Sequence, residues 1–261
     1  MANVIDINCD MGESFGAYNI GSDEEVIRSI SSASIACGFH ASDPMVMDRT
    51  VRLCRDHQVG VGAHPGYPDM MGFGRRLMDI SSVELINYVV YQVGALQGFL
   101  SMYGMPLQHI KLHGALYNDL VAKPDLFYQL VRQVSKALGD PIFLTLATKQ
   151  AALLRNTARR EGLRIALEAF PDRQYTDEGE LIPRQQVGVV LNDPEMIAER
   201  AVAMVLKKGF ESINGRWIDV AVDTLCIHGD NPVSIDAARM MVNAFTREGV
   251  KIKPLGEIIP R

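Results

Sequence analysis

The amino-acid sequence predicts an α/β fold, a single-domain (β/α) barrel of about seven parallel strands. Three observations predict it. Strand-like segments alternate with helical ones along the 261 residues, the mark of β-α units and a parallel sheet. Each candidate strand separates its faces, aliphatic on one and small or polar on the other. Central strands of an open doubly wound sheet, covered by helices on both faces, read instead as unbroken Val/Ile/Leu runs. Finally, most polar faces finish in a titratable group, giving Asp10, His40, His64, His113, Asp172 and His228. A closed barrel brings all such strand ends to one mouth.

Residues 5–13, I-D-I-N-C-D-M-G-E, set the pattern. Ile5, Ile7 and Cys9 point one way and Asp6, Asn8 and Asp10 the other, because strand side chains alternate. Those polar groups need partners, since an unpaired buried one costs on the order of 2–7 kcal/mol. Residues 23–30 read as a short helix and 34–39 as a second strand, with Ile35, Cys37 and Phe39 opposite Ala36, Gly38 and His40. Asp43-Pro44 then caps a helix running to His57, with Asp as acceptor and Pro in the first turn. In the third strand, 59–64, Gly60, Gly62 and His64 share the polar face.

A Gly- and Pro-rich loop spans 64–76, and Ser81 with Glu84 forms a capping box for a helix reaching Gly104. In the fourth strand His109, Lys111 and His113 alternate with Ile110 and Leu112. Lys123-Pro124 opens a helix, 142–146 is a fifth strand without a terminal ionisable group, and 149–162 is a helix. Strand six, 164–170, sets Ile165, Leu167 and Ala169 against Glu168, Phe170 and Asp172. After a polar loop, Asp193-Pro194 caps a helix to Lys208, strand seven covers 220–228, and Asn231-Pro232 starts a closing helix to Gly249. Residues 252–259 read as a short strand or extended tail.

Hydrophobic residues make up 48% and charged residues 22%, with a net charge of -5, which suits a chain with a full core. Basic residues are scattered, whereas a nucleic-acid footprint is a clustered basic face. The most apolar helix, 85–100, carries Asn87, Gln92, Gly94 and Gln97 and falls short of the ~20 apolar residues of a membrane span. The N-terminus shows no basic region followed by an apolar core, so the expected location is cytoplasmic. Cys9, Cys37, Cys54 and Cys226 lack C-x-x-C spacing and read as reduced core residues.

Four of the six histidines fall at the expected mouth. Asp10 with two or more imidazoles suits a divalent metal or a proton-transfer site, and spacing leaves both open. Lys111 is expected as a buried cation beside Asp6, Asn8 or Glu168, neutralising a carboxylate or holding an oxyanion. Arg75 and Arg76, in G-F-G-R-R, offer a clamp for a small carboxylate or phosphate, with Arg173 as a rival. Neither G-x-x-x-x-G-K-[ST] nor a strand-linked G-x-G-x-x-G occurs, so a standard nucleotide cradle is absent.

D-I-N-C-D-M-G-E, I-A-C-G-F-H-A-S-D-P, G-A-H-P-G-Y-P-D, K-L-H-G-A-L-Y-N, E-A-F-P-D-R-Q-Y and I-H-G-D-N-P occur in this order, and together they resemble the LamB/YcsF family. The resemblance implies a barrel of the glycoside hydrolase/deacetylase type. It also implies ATP-dependent (Mg²⁺) opening of 5-oxoproline to glutamate, together with subunits B and C. Carried onto this chain, it implies catalytic roles for Asn8, Asp10, Glu13, His40, Lys111, His113 and His228. Asp43, Asp172, Arg173 and Asp230 join Arg75 and Arg76 as candidate substrate contacts. By analogy with metal-dependent deacetylases, Asp10, His64 and His113 are the metal candidates. The chain departs from the family pattern at Ser42, where glycine is usual, and at Pro171, where alanine is usual. The first departure bears on any need for positive φ there. Two rival functions remain beside this one, a stand-alone metal-dependent deacetylase or amidohydrolase and a non-catalytic binding subunit.

Overall fold

The computed structural model describes residues 3–184, 186–228 and 232–260. In chain order the elements are β1 (Val4–Met11), α1 (Asp23–Val26), β2 (Ser32–Ala36), α2 (Pro44–Asp56), β3 (Gly60–His64), α3 (Ser82–Met102), β4 (Leu107–Lys111), α4 (Gly114–Ala122), α5 (Pro124–Leu138), β5 (Ile142–Leu146), α6 (Lys149–Arg160), β6 (Ile165–Ala169), α7 (Pro194–Leu206), β7 (Gly209–Glu211), β8 (Trp217–Asp219), β9 (Thr224–His228), α8 (Pro232–Arg247), β10 (Lys251–Ile252) and α9 (Leu255–Ile258). Strands β1-β2-β3-β4-β5-β6-β9 are parallel neighbours, and β9 closes the ring on β1 with Asp6 opposite Thr224 and Asp10 opposite His228. This is a barrel of seven parallel strands. The short β10 extends the β1 edge below the closure, at Val4 and Ile5.

Local chemistry fixes the helix starts. Asp43 accepts from the backbone N–H groups of Met45 and Val46 with Pro44 beside it, and Ser81 and Glu84 form the reciprocal capping box of α3. Outward strand residues such as Ile5, Ile7, Ile35, Ile110, Leu167 and Leu225 are fully buried beneath the helices in one large core. Inside the barrel, Ile142, Leu144 and Ala166 pack on Leu255 of α9 as a separate apolar plug.

Much of the rest of the interior is polar, and hydrogen bonds pair the groups at its base. Asp6 accepts from the hydroxyls of Ser31 (2.7 Å), Ser32 (2.6 Å) and Thr224 (2.5 Å). His109, over Gly62, shares a hydrogen bond with Ser34 Oγ at 3.0 Å, and burial followed by the Lys111 charge pushes its pKa down to about 3. No described helix is long and apolar enough to cross a membrane. All four cysteines are free and buried.

Several boundaries differ from expectation. β2 ends at Ala36, leaving Cys37 and Phe39 in the loop that carries His40, and β9 begins at Thr224. The 23–30 helix breaks into α1 and a 3-10 turn, Ile27–Ser29. Helix α4 starts directly after His113, and the β7–β8 hairpin has strands of three residues each, too short for alternation to be read from sequence. The tail forms β10 and α9. Ser42 adopts φ 80, so the backbone keeps the left-handed geometry that glycine favours.

Burial pushes the Asp6 carboxyl from 3.8 up to about 6 against its three hydroxyl donors. The folded state therefore holds this proton more tightly than the unfolded chain. Its stabilising contribution is complete below pH 4 and is lost as pH rises through 6. Asp6→Asn is expected to shrink the stability difference between pH 4.5 and pH 7 by about 2 kcal/mol in denaturant unfolding. Asp23, also pushed up to about 6 by burial, keeps a residual slope, and identical slopes in both proteins would refute the assignment.

Candidate active site

Strand β1 delivers Asn8 and Asp10 to the barrel axis, β3 ends in His64 and β4 in Lys111. Lys111 is 3% exposed, and its Nζ lies 2.9 Å from Asp10 Oδ1, 3.0 Å from Glu168 Oε1, 3.1 Å from Asn8 Oδ1 and 2.9 Å from Cys226 Sγ. Burial opposes its charge, but Asp10, Cys226 and Glu168 outweigh that and hold it well above its ordinary value. Asn8 completes the support by donating to Glu168 at 2.9 Å and Thr224 at 2.8 Å. A buried ammonium faces one buried carboxylate, Glu168, and one half-buried one, Asp10, at this floor.

Above it sit three histidines. His64 Nδ1 lies 2.8 Å from the Lys111 carbonyl and His113 Nε2 lies 2.8 Å from the Phe73 carbonyl. A carbonyl only accepts, so each of these nitrogens carries a proton. The remaining nitrogens, His64 Nε2 and His113 Nδ1, then face each other at 3.0 Å. If both rings were neutral, two lone pairs would meet. A shared proton or a cation between them removes the conflict. His64 Nε2 also lies 3.3 Å from Asp10 Oδ2, and although burial opposes it, this carboxylate holds the imidazole above its ordinary value. His113, lowered by burial and then by the charges of His40 and His64, favours the neutral form.

His40 stacks on His113 with centroids 3.6 Å apart and planes 2° from parallel. Its Nε2 meets Glu13 Oε1 at 3.2 Å, its Nδ1 is buried without a partner, and burial lowers its pKa well below the ordinary value. The loop after β3 closes over this stack. At Gly74 (φ 62) a Cβ would come within 2.8 Å of His40 Cβ and 2.7 Å of His113 Cδ2, so the close approach needs glycine.

Donor atoms of Glu13, His40, His64 and His113 all lie within 4.8 Å of one another. Three imidazoles and a carboxylate suit a Zn²⁺-like ion, and the backbone acceptors behind His64 and His113 orient those rings as metal ligands are oriented. The cluster can hold a metal ion. It opens on a cavity of ≈ 790 Å³ whose lining includes Asp10, Glu13, Lys111, Tyr117, Phe170 and Arg173.

The LamB/YcsF family profile matches residues 5–260. This chain belongs to the LamB/YcsF family. A relative from Pyrococcus horikoshii, named as the A subunit of 5-oxoprolinase, is 48% identical over 255 residues, spanning 98% of this chain and 99% of that protein. The crystal structure of the lactam utilization protein from Thermus thermophilus superposes with a TM-score of 0.86 at 41% identity, covering 96% of this chain and 99% of that one. Peptidoglycan deacetylase PdaC from Bacillus subtilis, at TM-score 0.52 and 13% identity over 98% and 90% of the two chains, shares the fold alone.

Within this LamB/YcsF chain the expected site residues separate. Asp10, Glu13, His64, Lys111, His113, Arg75 and Arg173 line the cavity, while Asn8 lies beneath it and His40 behind His113. The metal expectation changes. His64 and His113 gather with Glu13 and His40, whereas Asp10 is drawn to Lys111 and touches the cluster through His64. Arg76 is tied to Asp69 within its own loop, away from the cavity lining, so it is not the expected clamp. Asp43 is occupied by its cap and by Gly16 N–H at 2.7 Å, and Asp172 is buried beside Arg173 without lining the cavity. His228 is placed by backbone register alone, and Asp230 lies outside the described residues. Sequence reasoning missed the Phe73 carbonyl and Cys226 as partners, and Tyr117, whose hydroxyl lies beside Glu168. Only Tyr117 left a trace, inside K-L-H-G-A-L-Y-N.

Two outcomes are expected. Nitrogen-resolved NMR of the imidazoles will show protons on His64 Nδ1 and His113 Nε2, and the opposite tautomer at either ring would contradict the geometry. Lys111→Met, which strands Asp10 and Glu168, will cost about 3–5 kcal/mol in denaturant unfolding.

Proposed function

We propose that this chain is the A subunit of a 5-oxoprolinase, opening the lactam ring of 5-oxoproline to give glutamate in an ATP-dependent reaction with subunits B and C. Similarity along the whole chain to relatives named as the A subunit of 5-oxoprolinase, and to a lactam utilization protein, supports the reading. The observation that carries it is the carboxylate of Asp10 at the cavity floor, set between Lys111 at 2.9 Å and His64 at 3.3 Å. Such a reaction takes place in the cytoplasm, where ATP is supplied.

Opening a lactam adds water to the carbonyl carbon, breaks the C–N bond and delivers a proton to the nitrogen. The attacking water must lose a proton and the leaving nitrogen must gain one, so a positioned carboxylate that first accepts and then donates serves both steps. Asp10 does this at Oδ2, because Oδ1 is held by Lys111. Of the two roles expected for Lys111, neutralising a carboxylate is the one used in this reading, and it acts as a positioning residue. Its ammonium has three protons and is already surrounded by Asp10, Glu168, Asn8 and Cys226. His64 orients Asp10 from the other side.

Glu13, His40, His64 and His113 would hold a divalent ion, which when bound supplies a Lewis acid for the carbonyl and a lowered pKa for water. For ATP the residues do not fit: the chain carries no glycine-rich phosphate cradle. Transfer of the ATP γ-phosphoryl group to the lactam oxygen, with its Mg²⁺, therefore belongs to the partner subunits in this reading; once water has added and the C–N bond has broken, a second water hydrolyses the resulting acyl phosphate to carboxylate and inorganic phosphate. The histidine cluster favours one second reading, a stand-alone metal-dependent amidohydrolase, which would turn over without ATP or partners.

Reconstitution with subunits B and C separates these. Glutamate formation from 5-oxoproline is expected only with all three subunits and ATP. Asp10→Asn should lower it at least about 100-fold, measured on protein whose circular dichroism matches that of the wild type. Unaltered turnover in Asp10→Asn would sink the catalytic role, and robust ATP-independent ring opening by this chain alone would sink its assignment to a three-part complex.

A further inference from the structure

Arg173 is a cation that the fold buries and leaves largely unused. It follows β6, is 6% exposed and lines the cavity. An arginine brings five N–H donors and cannot shed its charge to escape burial. Among the described residues a single acceptor meets it, the Ile182 carbonyl at 2.6 Å from Nη2. Nε is buried with no partner, and among the described residues the acidic side chain that acts on the group is that of the adjacent Asp172, through its charge. Leaving such donors unmatched is costly unless something enters to take them.

The arginine is also held in place. Arg200 donates to the Pro171 carbonyl at 3.1 Å and to the Arg173 carbonyl at 2.9 Å, and Arg173 forms a β-bridge with Val190. Burial and the nearby charge of Arg184 hold its pKa below the ordinary value against the opposing pull of Asp172. The other arginines of the lining are different. Arg75 is exposed and lies 5.2 Å over the Phe73 ring, and Arg184 is exposed.

We infer that Arg173 is the carboxylate receptor of the cavity, a specificity-determining residue that selects cyclic amides bearing a carboxylate. A guanidinium presents a planar fork that matches the two oxygens of a carboxylate. One guanidinium beside the acidic Asp172 suits a monoanion better than a phosphate dianion. The receptor lies on the β6 side of the mouth, with Phe170 of the same segment 5.5 Å beneath Lys111 Nζ. A ligand anchored there reaches toward Asp10 along a shared wall. The lactam part rests on the proposed 5-oxoprolinase reading, whereas carboxylate recognition does not.

The test is calorimetric titration of the intact chain with 5-oxoproline, with 2-pyrrolidinone, which is the same ring without the carboxylate, and with glutarate. Wild type is expected to bind 5-oxoproline at least about 10-fold more tightly than 2-pyrrolidinone. Arg173→Gln should weaken 5-oxoproline about 10- to 100-fold and leave 2-pyrrolidinone unchanged. If Arg173→Gln melts early, Arg173→Lys replaces it, keeping the charge but not the fork, and should still lose about 10-fold. Wild-type affinity for 5-oxoproline in both variants, or equal weakening of both rings, overturns the inference. Binding of glutarate alone, lost in Arg173→Gln, supports the receptor and overturns the 5-oxoproline reading instead. Binding of none of the three ligands overturns the receptor.

Discussion

An ammonium only 3% exposed sits at the centre of this barrel, at the floor of its cavity, and most of the interior can be derived from it. Lys111 Nζ has Asp10, Glu168, Asn8 and Cys226 within 3.1 Å. Removing one charge from such a set leaves the others uncompensated in a low-dielectric interior. The two carboxylates and the lysine therefore stand or fall together. Asn8 and Thr224 extend the same logic downward to Asp6, so the polar axis is continuous from its base to the mouth. Stability and reactivity share that axis: the residue that orients Asp10 also faces the buried Glu168.

At the top of the axis the protein uses backbone oxygens to decide what imidazoles present. The carbonyls of Lys111 and Phe73 each take one N–H from a histidine, which turns the opposite nitrogens toward each other and toward Asp10 and Glu13. The loop between β3 and α3 supplies one of these carbonyls and also covers the His40–His113 stack. Its glycines are therefore part of the site's construction and not merely of its flexibility.

Much of this was legible in the chain. Period-two alternation exposed the barrel and the inward Asp6, Asn8, Asp10, His64 and Lys111 because strand geometry maps sequence parity directly onto inside and outside. Glu13 is different. It lies past the end of β1, and Gly12 at φ 67 turns the chain so that it meets His40, a path parity does not encode. The choice between Arg75 and Arg76 rests on Asp69, which bonds the latter. Backbone carbonyls leave no trace in side-chain patterns at all, so the tautomers of His64 and His113 were invisible. The Lys111–Glu168 contact was foreseeable because both residues sit on polar faces, while the β7–β8 hairpin was too short to betray itself.

The closure of β9 onto β1 has a consequence for how the protein is made. Asp6 receives a hydroxyl from Thr224, 218 residues later, and Asn8 donates to the same side chain, 216 residues later. During synthesis Ser31, Ser32, His64 and Lys111 emerge early enough to meet Asp6 and Asp10, but Thr224, which joins Asp6 to Asn8, is missing until most of the chain has emerged. A ring that closes first strand to last cannot complete its polar axis until the last strand arrives. Folding of the centre is thereby tied to completion of the polypeptide, and a chain truncated before Thr224 keeps the carboxylates of its first strand but not the partners from its last.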